Sequence, residues 1–402
     1  MHNKSSRNPV LLVVFLILTV LMAVLFMPGI NSNVAEGFHH LTSTDLPVDQ
    51  QTQIIYDAIT CSKSIDILAM LLLGFGFLMV FTRKHEFTTL TATMLAVSVS
   101  IPMYMIIKSF GEEFDACSMG GLLFAEFAGA SLLIVMGAVL GKLTMDQYFI
   151  MSVLFVPAYT LNEWLLLDSG LYQGFLDTGG SVAIHAFGAF FGLGMVAATR
   201  KKFEGKHTVE MDKTSNEFCL LGSMVLWLFW PSFTSSVVSG DLATLTAINT
   251  VLALCGSTLS TYVFSKWFRG KVEIEDIANA ALAGGVAIGS ACSSVNPGFA
   301  MLIGIVAGLV TTAGYNFIAP RVCNLIKGDD TCGVQNLHGY SGLVGGLSAI
   351  CVTGGFSVQI LAMITTIVVA FVTGRIAGFV TYLFGTKEIP FDDSEDFILE
   401  EE

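Results

Sequence analysis

Two histidines occupy equivalent places in a repeated pattern and are the residues best suited to chemistry in this chain. The pattern D-T-x-G-x4-H-x6-G begins at Asp177, with His185 inside it, and begins again 153 residues later at Asp330, with His338 inside it. A neutral imidazole donates one hydrogen bond and accepts another, and it can take up a proton near neutral pH. Either histidine alone could simply bond a neighbouring helix, but two at equivalent positions favour a functional site.

The composition indicates what kind of chain holds these histidines. Of 402 residues, 53% are hydrophobic and only 13% are charged, whereas a soluble domain carries about 25% charged residues. Glycine is frequent, with 40 residues, as in membrane helices that pack closely. The formal net charge of −13 excludes a nucleic-acid binder, which needs a basic face. The sequence predicts a polytopic membrane protein whose surrounding partner is the lipid bilayer.

Twelve apolar runs are long enough to cross a bilayer core of about 30 Å as helices. They show no short segments of alternating hydrophobicity, which are typical of membrane barrels. The predicted fold class is therefore an all-α polytopic membrane protein with 11–12 transmembrane helices. The runs lie near 9–30, 64–82, 87–108, 119–141, 147–168, 178–199, 217–237, 242–265, 276–294, 297–319, 334–353 and 357–384.

Lysine and arginine residues orient these predicted helices. With a cytoplasmic N-terminus, 16 of them fall in inner segments and two, Lys63 and Lys108, fall in outer loops. Because positively charged loops stay in the cytoplasm, both termini are predicted to lie on the cytoplasmic side of a plasma or inner membrane. Arg375, within the last predicted helix, has no assigned partner. Residues 1–30 are either a retained helix or a cleaved signal peptide.

The two copies of the histidine pattern lie five helices apart and so enter the membrane from opposite faces. This arrangement indicates an inverted five-helix pseudo-twofold repeat, with a site near the bilayer midplane around a narrow central pore. Eight helical residues span about 12 Å, so the two histidines are predicted to meet near the centre. The predicted division is 1–30 helix or signal peptide, 31–63 outside loop, 64–199 first repeat, 217–353 second repeat, 357–385 last long helix and 386–402 acidic cytoplasmic tail.

Further candidate residues flank the predicted pore. Asp177 and Asp330 precede their helices, where a carboxylate caps free N–H groups. Asp177, on the outer side, could also stabilise a waiting cation. Phe127 and Phe233 either belong to the interfacial aromatic belt and its packing or form a hydrophobic gate with a cation–π surface. Spacing alone leaves both interpretations open.

Other chemistry finds little support in the sequence. The eight cysteines show no C-x-x-C spacing, so no metal site is predicted. Cys61 and Cys117 fall in predicted outer loops and could form a disulfide. No nucleophile–base constellation is evident, so the sequence predicts neither an enzyme nor a cofactor.

A series of motifs in the same order resembles the Rh glycoprotein branch of the ammonium transporter family. The resemblance covers roughly residues 64–390, and the segments that carry it are Gly74–Met79, Gly137–Lys142, Asn162-Glu163, Asp177–Leu193, Trp230–Phe233, Ala247–Thr250, Asn279–Ala287 and Asp330–Gly339. It implies a homotrimer in which each subunit has its own pore for ammonium or ammonia. It further implies that the two histidines line that pore, that Asp177 attracts substrate, and that Phe127 and Phe233 form the outer gate. Asn249 lies in a matching motif and joins the candidates without an assigned role.

Energetics favour ammonia over ammonium as the species that crosses. Removing the proton from ammonium at neutral pH costs about 3 kcal/mol, whereas burying the bare ion costs several kcal/mol or more. We expect ammonium to lose its proton at the outer mouth and neutral ammonia to pass the histidines. One alternative is a channel for another small neutral gas such as carbon dioxide. Another is an ammonium sensor or scaffold whose acidic tail binds a cytoplasmic regulator, although such tails are usually solvated.

Overall fold

The computed structural model of the chain describes residues 13–17, 19–21, 48–81, 84–111, 114–199 and 212–399. All regular structure within these residues is helical, which confirms the predicted fold class. Nine of the helices in this part of the chain are long and apolar enough to cross a bilayer. Of the predicted first span, residues 13–17 and 19–21 are described and helical. The rest of 1–30, including the question of cleavage, lies outside the described residues.

Eleven helices follow from residue 48 onward, several of them composed of consecutive segments. The first five are α1 (Val48–Ala69, Met70–Phe75 and Gly76–Leu78), α2 (Glu86–Lys108), α3 (Met119–Val139), α4 (Met145–Glu163 and Trp164–Asp168) and α5 (Ser181–Ala186 and Phe187–Thr199). The next five are α6 (Lys213–Ser235), α7 (Asp241–Arg269), α8 (Ile274–Ala280, Ala283–Ile288 and Gly289–Ala291), α9 (Pro297–Ala313, Gly314–Ile318 and Ala319–Ile326) and α10 (Gln335–Tyr340 and Ser341–Thr353). The last is α11 (Phe356–Thr381 and Tyr382–Phe384).

Two of these helices differ from the sequence prediction. Helix α1 begins at Val48, within the segment 31–63 predicted as a loop, because no glycine or proline interrupts the chain before Gly74. The span predicted near 276–294 corresponds to α8, which the structure interrupts between Ala280 and Ala283. The adjacent Gly284 packs its backbone so closely on α7 that an added Cβ would lie 2.0 Å from the Ala253 carbonyl oxygen.

Successive helices run in alternating directions, which places the connections on two faces of the bundle. We call one the Asp177 face; it carries 109–111, 114–118, 169–180, 236–240 and 292–296. We call the other the Asp330 face; it carries 79–81, 84–85, 140–144, 270–273, 327–334 and 385–399.

Helices α1–α5 and α6–α10 form the two inverted repeats. The loop before α5 donates backbone hydrogen bonds to the end of α8, and the loop before α10 donates equivalent ones to the end of α3. These four bonds are Thr178 N to Ser290 O (3.3 Å), Gly179 N to Gly289 O (2.8 Å), Thr331 N to Ala138 O (3.2 Å) and Cys332 N to Gly137 O (3.1 Å). Because α3 and α8 are the third helices of their repeats, each histidine helix is anchored by the other half in the same way.

Helix α11 lies outside the repeats and packs along α5. An added Cβ on Gly374 would lie 2.1 Å from the Phe191 carbonyl oxygen, so the two backbones are as close as small residues allow. Arg375, on the same helix, is exposed and forms no ion pair with any described residue.

The acidic segment after α11 folds back onto the Asp330 face. Asp393 is 2% exposed, and its carboxylate accepts hydrogen bonds from the backbone N–H groups of Phe87 (2.9 Å) and Thr88 (3.0 Å) at the start of α2. Phe391 N donates to the Gly141 carbonyl (3.0 Å) between α3 and α4. Burial alone would raise the pKa of Asp393, but hydrogen bonds from His85 and Thr88 hold it below its usual value. Acidic tails are usually solvated, but this segment packs against the protein at Phe391 and Asp393.

Candidate functional site

The two repeat histidines meet in the interior of the bundle. His185 lies in the segment Ser181–Ala186 and His338 in Gln335–Tyr340, and both segments are wide π-helical turns. The two Nδ1 atoms are 3.2 Å apart, and the stacked rings have centroids 5.3 Å apart and planes inclined by 13°. Both residues are buried, so the predicted meeting of the histidines is present in the structure.

Contact between two Nδ1 atoms fixes how the pair can share protons. One Nδ1 must carry the proton and the other must accept it, because each neutral imidazole has a single N–H group. The ring that donates through Nδ1 therefore has a bare Nε2, and its neighbour has a protonated Nε2. The neutral pair consequently offers one hydrogen-bond acceptor and one donor along its length. The Nε2 atom of His185 is buried without a partner among the described residues.

The aspartates and glycines of the repeated pattern start the histidine helices. The Asp177 carboxylate accepts hydrogen bonds from the N–H groups of Val182 (3.1 Å) and Ala183 (2.7 Å). Asp330 does the same for the N–H groups of Val334 (3.0 Å) and Gln335 (2.9 Å). Gly180 (φ 75°) and Gly333 (φ 63°) adopt the left-handed turn between cap and helix, a conformation that favours glycine. The shared D-T-x-G sequence thus fixes where each helix, and hence each imidazole, begins.

The surroundings of the two aspartates differ. Asp177 also accepts a hydrogen bond from the Ser290 hydroxyl (2.5 Å), and no described lysine, arginine or histidine forms an ion pair with it. Asp330 lies close enough to the Lys142 ammonium group to raise the pKa of that lysine, although burial dominates and lowers it to about 8. Lys142 also donates to the Ala138 carbonyl (3.1 Å) and to the Asp329 carbonyl.

Each histidine ring stacks on an aromatic ring from the first helix of the opposite repeat. Trp230 of α6 stacks on His185, with centroids 5.6 Å apart and an angle of 27°. Phe75 of α1 stacks on His338, with centroids 6.1 Å apart and an angle of 25°. Sequence reasoning missed both contacts, although Phe75 and Trp230 belong to motifs that carried the family resemblance. Phe75 and Trp230 lie in the first helices of the two repeats, and this correspondence could have revealed the two contacts.

Phe127 and Phe233 pack against each other on the Asp177 side of the histidines. Their ring centroids are 4.7 Å apart, inclined by 55°, and both side chains are buried. The Phe233 ring is 6.0 Å from that of His185, so the phenylalanine pair lies directly beyond the histidines. The structure thus brings together five of the predicted site residues in the order Phe127, Phe233, His185, His338 and Asp330.

The space around the histidines is unequal on its two sides. Between Phe233 and His185 lies a void of about 10 Å³, which holds one water-sized molecule at most. Its walls are Met70, Leu71, Phe75, Ala130 and Trp230. Beyond His338 a cavity of about 240 Å³ leads to the Asp330 face past Leu337, Asp330 and Asn216.

Asn249 lies apart from this path. Its Nδ2 group donates to the carbonyl oxygens of Cys292 and Val295, both at 2.8 Å, and so ties the end of α8 to α7. Cys61 and Cys117 both have free, exposed thiols. Among the described residues no cluster of histidine, cysteine, aspartate and glutamate side chains could hold a metal ion.

Comparisons with known proteins agree with this geometry. Residues 48–396 match the model of the Ammonium Transporter Family. The chain is 38% identical over 299 residues to ammonium transporter Rh type B of Oryctolagus cuniculus, covering 72% of this chain and 65% of that protein. It is 35% identical over 349 residues to ammonium transporter Rh type A of Mus musculus, covering 82% and 79%.

Solved structures show the same fold. The Rh50 channel of Nitrosomonas europaea superposes with a TM-score of 0.84 at 47% identity and covers 87% of this chain and 94% of that one. A sensor Amt protein shares the fold alone, with a TM-score of 0.72 at 17% identity. The chain therefore belongs to the Rh branch of the ammonium transporter family.

Proposed function

We propose that this protein is a channel that conducts neutral ammonia, after ammonium has lost its proton on the Asp177 face. The observation that carries the proposal is the void of about 10 Å³ beside an imidazole with an unpartnered Nε2. A hydrated ion does not fit a space of one water. Ammonia does fit, and it can accept a hydrogen bond from one imidazole and donate to the next.

The surroundings of the histidines favour a neutral permeant. The void is walled by apolar side chains, and none of its lining residues is a carboxylate. Burying ammonium there without counter-charge costs several kcal/mol or more, against about 3 kcal/mol for deprotonation at neutral pH. The phenylalanine pair lies where the ion would have to shed its water, and a cation can be held against aromatic faces.

The orientation and assembly of the protein form part of the same proposal. The Asp177 face is extracellular and the Asp330 face cytoplasmic, because the lysines and arginines concentrate on the Asp330 side. Asp177, which has no ion-pair partner among the described residues, attracts ammonium to the outer mouth. By the family resemblance the channel is a homotrimer in the plasma or inner membrane, with one pore in each subunit.

Stopped-flow measurement of internal pH in proteoliposomes tests the function. Under an inward ammonium gradient, vesicles with wild-type protein should alkalinise faster than empty ones, because entering ammonia takes up protons. The double variant His185→Leu/His338→Leu should lose most of this gain, whereas His40→Leu/His207→Leu, which changes two histidines in predicted loops, should keep it. Wild-type vesicles no faster than empty ones would contradict the proposal, and the same vesicles would then be tested with carbon dioxide.

A further inference from the structure

One buried carboxyl group near the mouth of the path has no part in the mechanism so far. Glu126 directly precedes Phe127 in α3 and is 0% exposed. Its Oε1 accepts a hydrogen bond from the Ser64 hydroxyl of α1 at 2.5 Å. Its Oε2 is buried without a partner among the described residues. A carboxyl group inside a membrane protein with an unused oxygen indicates a function.

Helical spacing places this pair at the head of the conducting path. On α3, Ala130 lines the small void and Ile134 lines the larger cavity, and residues four apart share a face of a helix. Glu126 is the next residue of that stripe toward the Asp177 face. On α1, Ser64 stands two turns before Leu71, which also lines the void. The Ser64–Glu126 pair therefore lies where the pore-facing stripes of two helices begin.

No positive charge in the described part of the chain pairs with Glu126. Among the described residues no lysine, arginine or histidine forms an ion pair with it. The nearby Lys63 ammonium instead donates to the Ser235 carbonyl at 2.7 Å. Burying a carboxylate without a cation is costly. A ligand that carries a positive charge and can donate a proton therefore stabilises the group. Ammonium brings both.

We propose that Glu126 is the group that accepts the proton of ammonium at the outer mouth, an inference that rests on the proposed function. An N–H bond of ammonium breaks, an O–H bond forms on Oε2, and nitrogen keeps the electron pair as ammonia. Before the next turnover Glu126 returns this proton from Oε2 to water on the Asp177 face, while ammonia passes Phe127.

Charge explains why the proton goes to this carboxylate rather than to the histidine pair. Transfer from ammonium to Glu126 converts a cation and an anion into two neutral groups in the dry mouth of the pore. Transfer to His185 would leave a buried cation with no carboxylate beside it. A step that removes two charges is favoured over one that moves a charge deeper into low dielectric.

The variant Glu126→Gln tests the step, because glutamine keeps the shape but takes up no proton. Its flux should depend only on ammonia already present outside, and so should rise about tenfold for each unit of external pH. Where the wild-type carboxyl group is ionised, the flux of the variant should fall roughly 100-fold below wild type, and the deficit should shrink in acid, where the wild-type group is itself protonated. Glu126→Asp should restore part of the flux. Glu217→Gln, the same change at an exposed position of α6, should match wild type.

The outcomes separate the two proposals. A wild-type protein without ammonium-dependent flux overturns the channel itself. A conducting wild type whose Glu126→Gln variant keeps both its rate and its pH profile overturns only the role of Glu126.

Infrared difference spectra of the wild-type protein decide the matter even where the glutamine variant does not fold. Ammonium, but not sodium, should produce the C=O stretch of a protonated carboxyl group, and Glu126→Asp should shift that band. A spectrum without the band overturns the assignment.

Discussion

The two histidine half-sites share one design but have different neighbours. In both, an aspartate caps the helix, a left-handed glycine turns the chain, and an aromatic ring from the opposite repeat stacks on the imidazole. On the Asp177 side the phenylalanine pair lies next to His185 and the void measures about 10 Å³. On the Asp330 side a cavity of about 240 Å³ is open and Lys142 lies near the aspartate.

This difference separates what the repeat determines from what it does not. The repeat fixes positions, because the same short pattern sets the start of each helix and the height of each imidazole. The residues around the repeated pattern determine the charge near each aspartate and the space through which a molecule can reach each histidine. We therefore attribute selection and deprotonation to the Asp177 half and release to the Asp330 half.

Among tests of this comparison between the two halves, the largest expected effect comes from removing the charge of each aspartate in turn. Asp177→Asn should lower ammonium-dependent flux about tenfold, since loss of one uncompensated charge near the mouth is worth roughly 1–2 kcal/mol. Asp330→Asn should lower it much less, because Lys142 already offsets that charge. Initial rates in proteoliposomes, corrected for the amount of folded protein, measure both. Equal losses would mean that the two halves attract cations equally.

Replacing each of the two stacking rings by leucine tests whether the path is narrower beside His185 than beside His338. Trp230→Leu should enlarge the void beside His185 and admit methylammonium-derived methylamine several-fold faster, because an engineered cavity stays open when neighbours cannot collapse into it. Phe75 lines both the small void and the larger cavity, so Phe75→Leu relieves only part of the constriction and should change this rate less than Trp230→Leu does. Relative uptake of methylamine and ammonia by the two variants is the measurement. A Phe75→Leu variant with the larger change would reverse our assignment of the constriction.

Within the described residues, the acidic segment after α11 contacts the protein only on the Asp330 face. Removing one of these contacts should lower the free energy of unfolding. Asp393→Asn should lower the free energy of unfolding by about 1–2 kcal/mol, because the start of α2 loses its charged cap. Asp392→Asn, whose carboxylate accepts bonds from Ser394 alone in its own turn, should have a smaller effect. Thermal unfolding in detergent compares the two variants. Equal melting temperatures would show that the docked contacts contribute nothing measurable.

Acid should weaken the same contact. The pKa of Asp393 lies below its ordinary value in the folded state, so its stabilisation is complete above the ordinary pKa of about 3.9 and is lost as pH falls through the lower folded value. Protease cleavage of residues 386–399 in reconstituted protein should therefore be slow at neutral pH and begin to increase below about pH 4. In Asp393→Asn the cleavage should be faster at neutral pH and should show no further increase as the pH falls below about 4. A neutral-pH rate equal to wild type would show that the segment is held by other contacts.

The sequence predicted the centre of the molecule better than its edges. His185 and His338 could be found because a sixteen-residue pattern recurs, and a recurring pattern implies equivalent positions. The contact of Phe127 with Phe233 was left open by spacing and was expected only from the family resemblance. The function of these residues stays a prediction until the flux measurements are made.

The contacts that sequence reasoning missed join residues far apart in the chain. Phe391 reaches Gly141, and Asp393 reaches Thr88, across hundreds of residues, and no local periodicity signals such pairs. The break in α8 depends on how closely Gly284 approaches α7. A glycine at this position is compatible with close helix packing, but only the assembled bundle shows which helix Gly284 contacts.

The small size of the void beside His185 has a consequence for cellular energetics. An ion crossing a membrane gains or loses roughly 2.3 kcal/mol for each elementary charge and 100 mV, whereas a neutral molecule is indifferent to voltage. If, as we propose, the path admits only the uncharged molecule, the membrane potential exerts no force on the permeant. Total ammonium on the two sides is then set by the difference in pH, and each molecule that enters consumes one internal proton. A cell that opens this route gains speed of exchange and gives up the ability to accumulate nitrogen by electrical work.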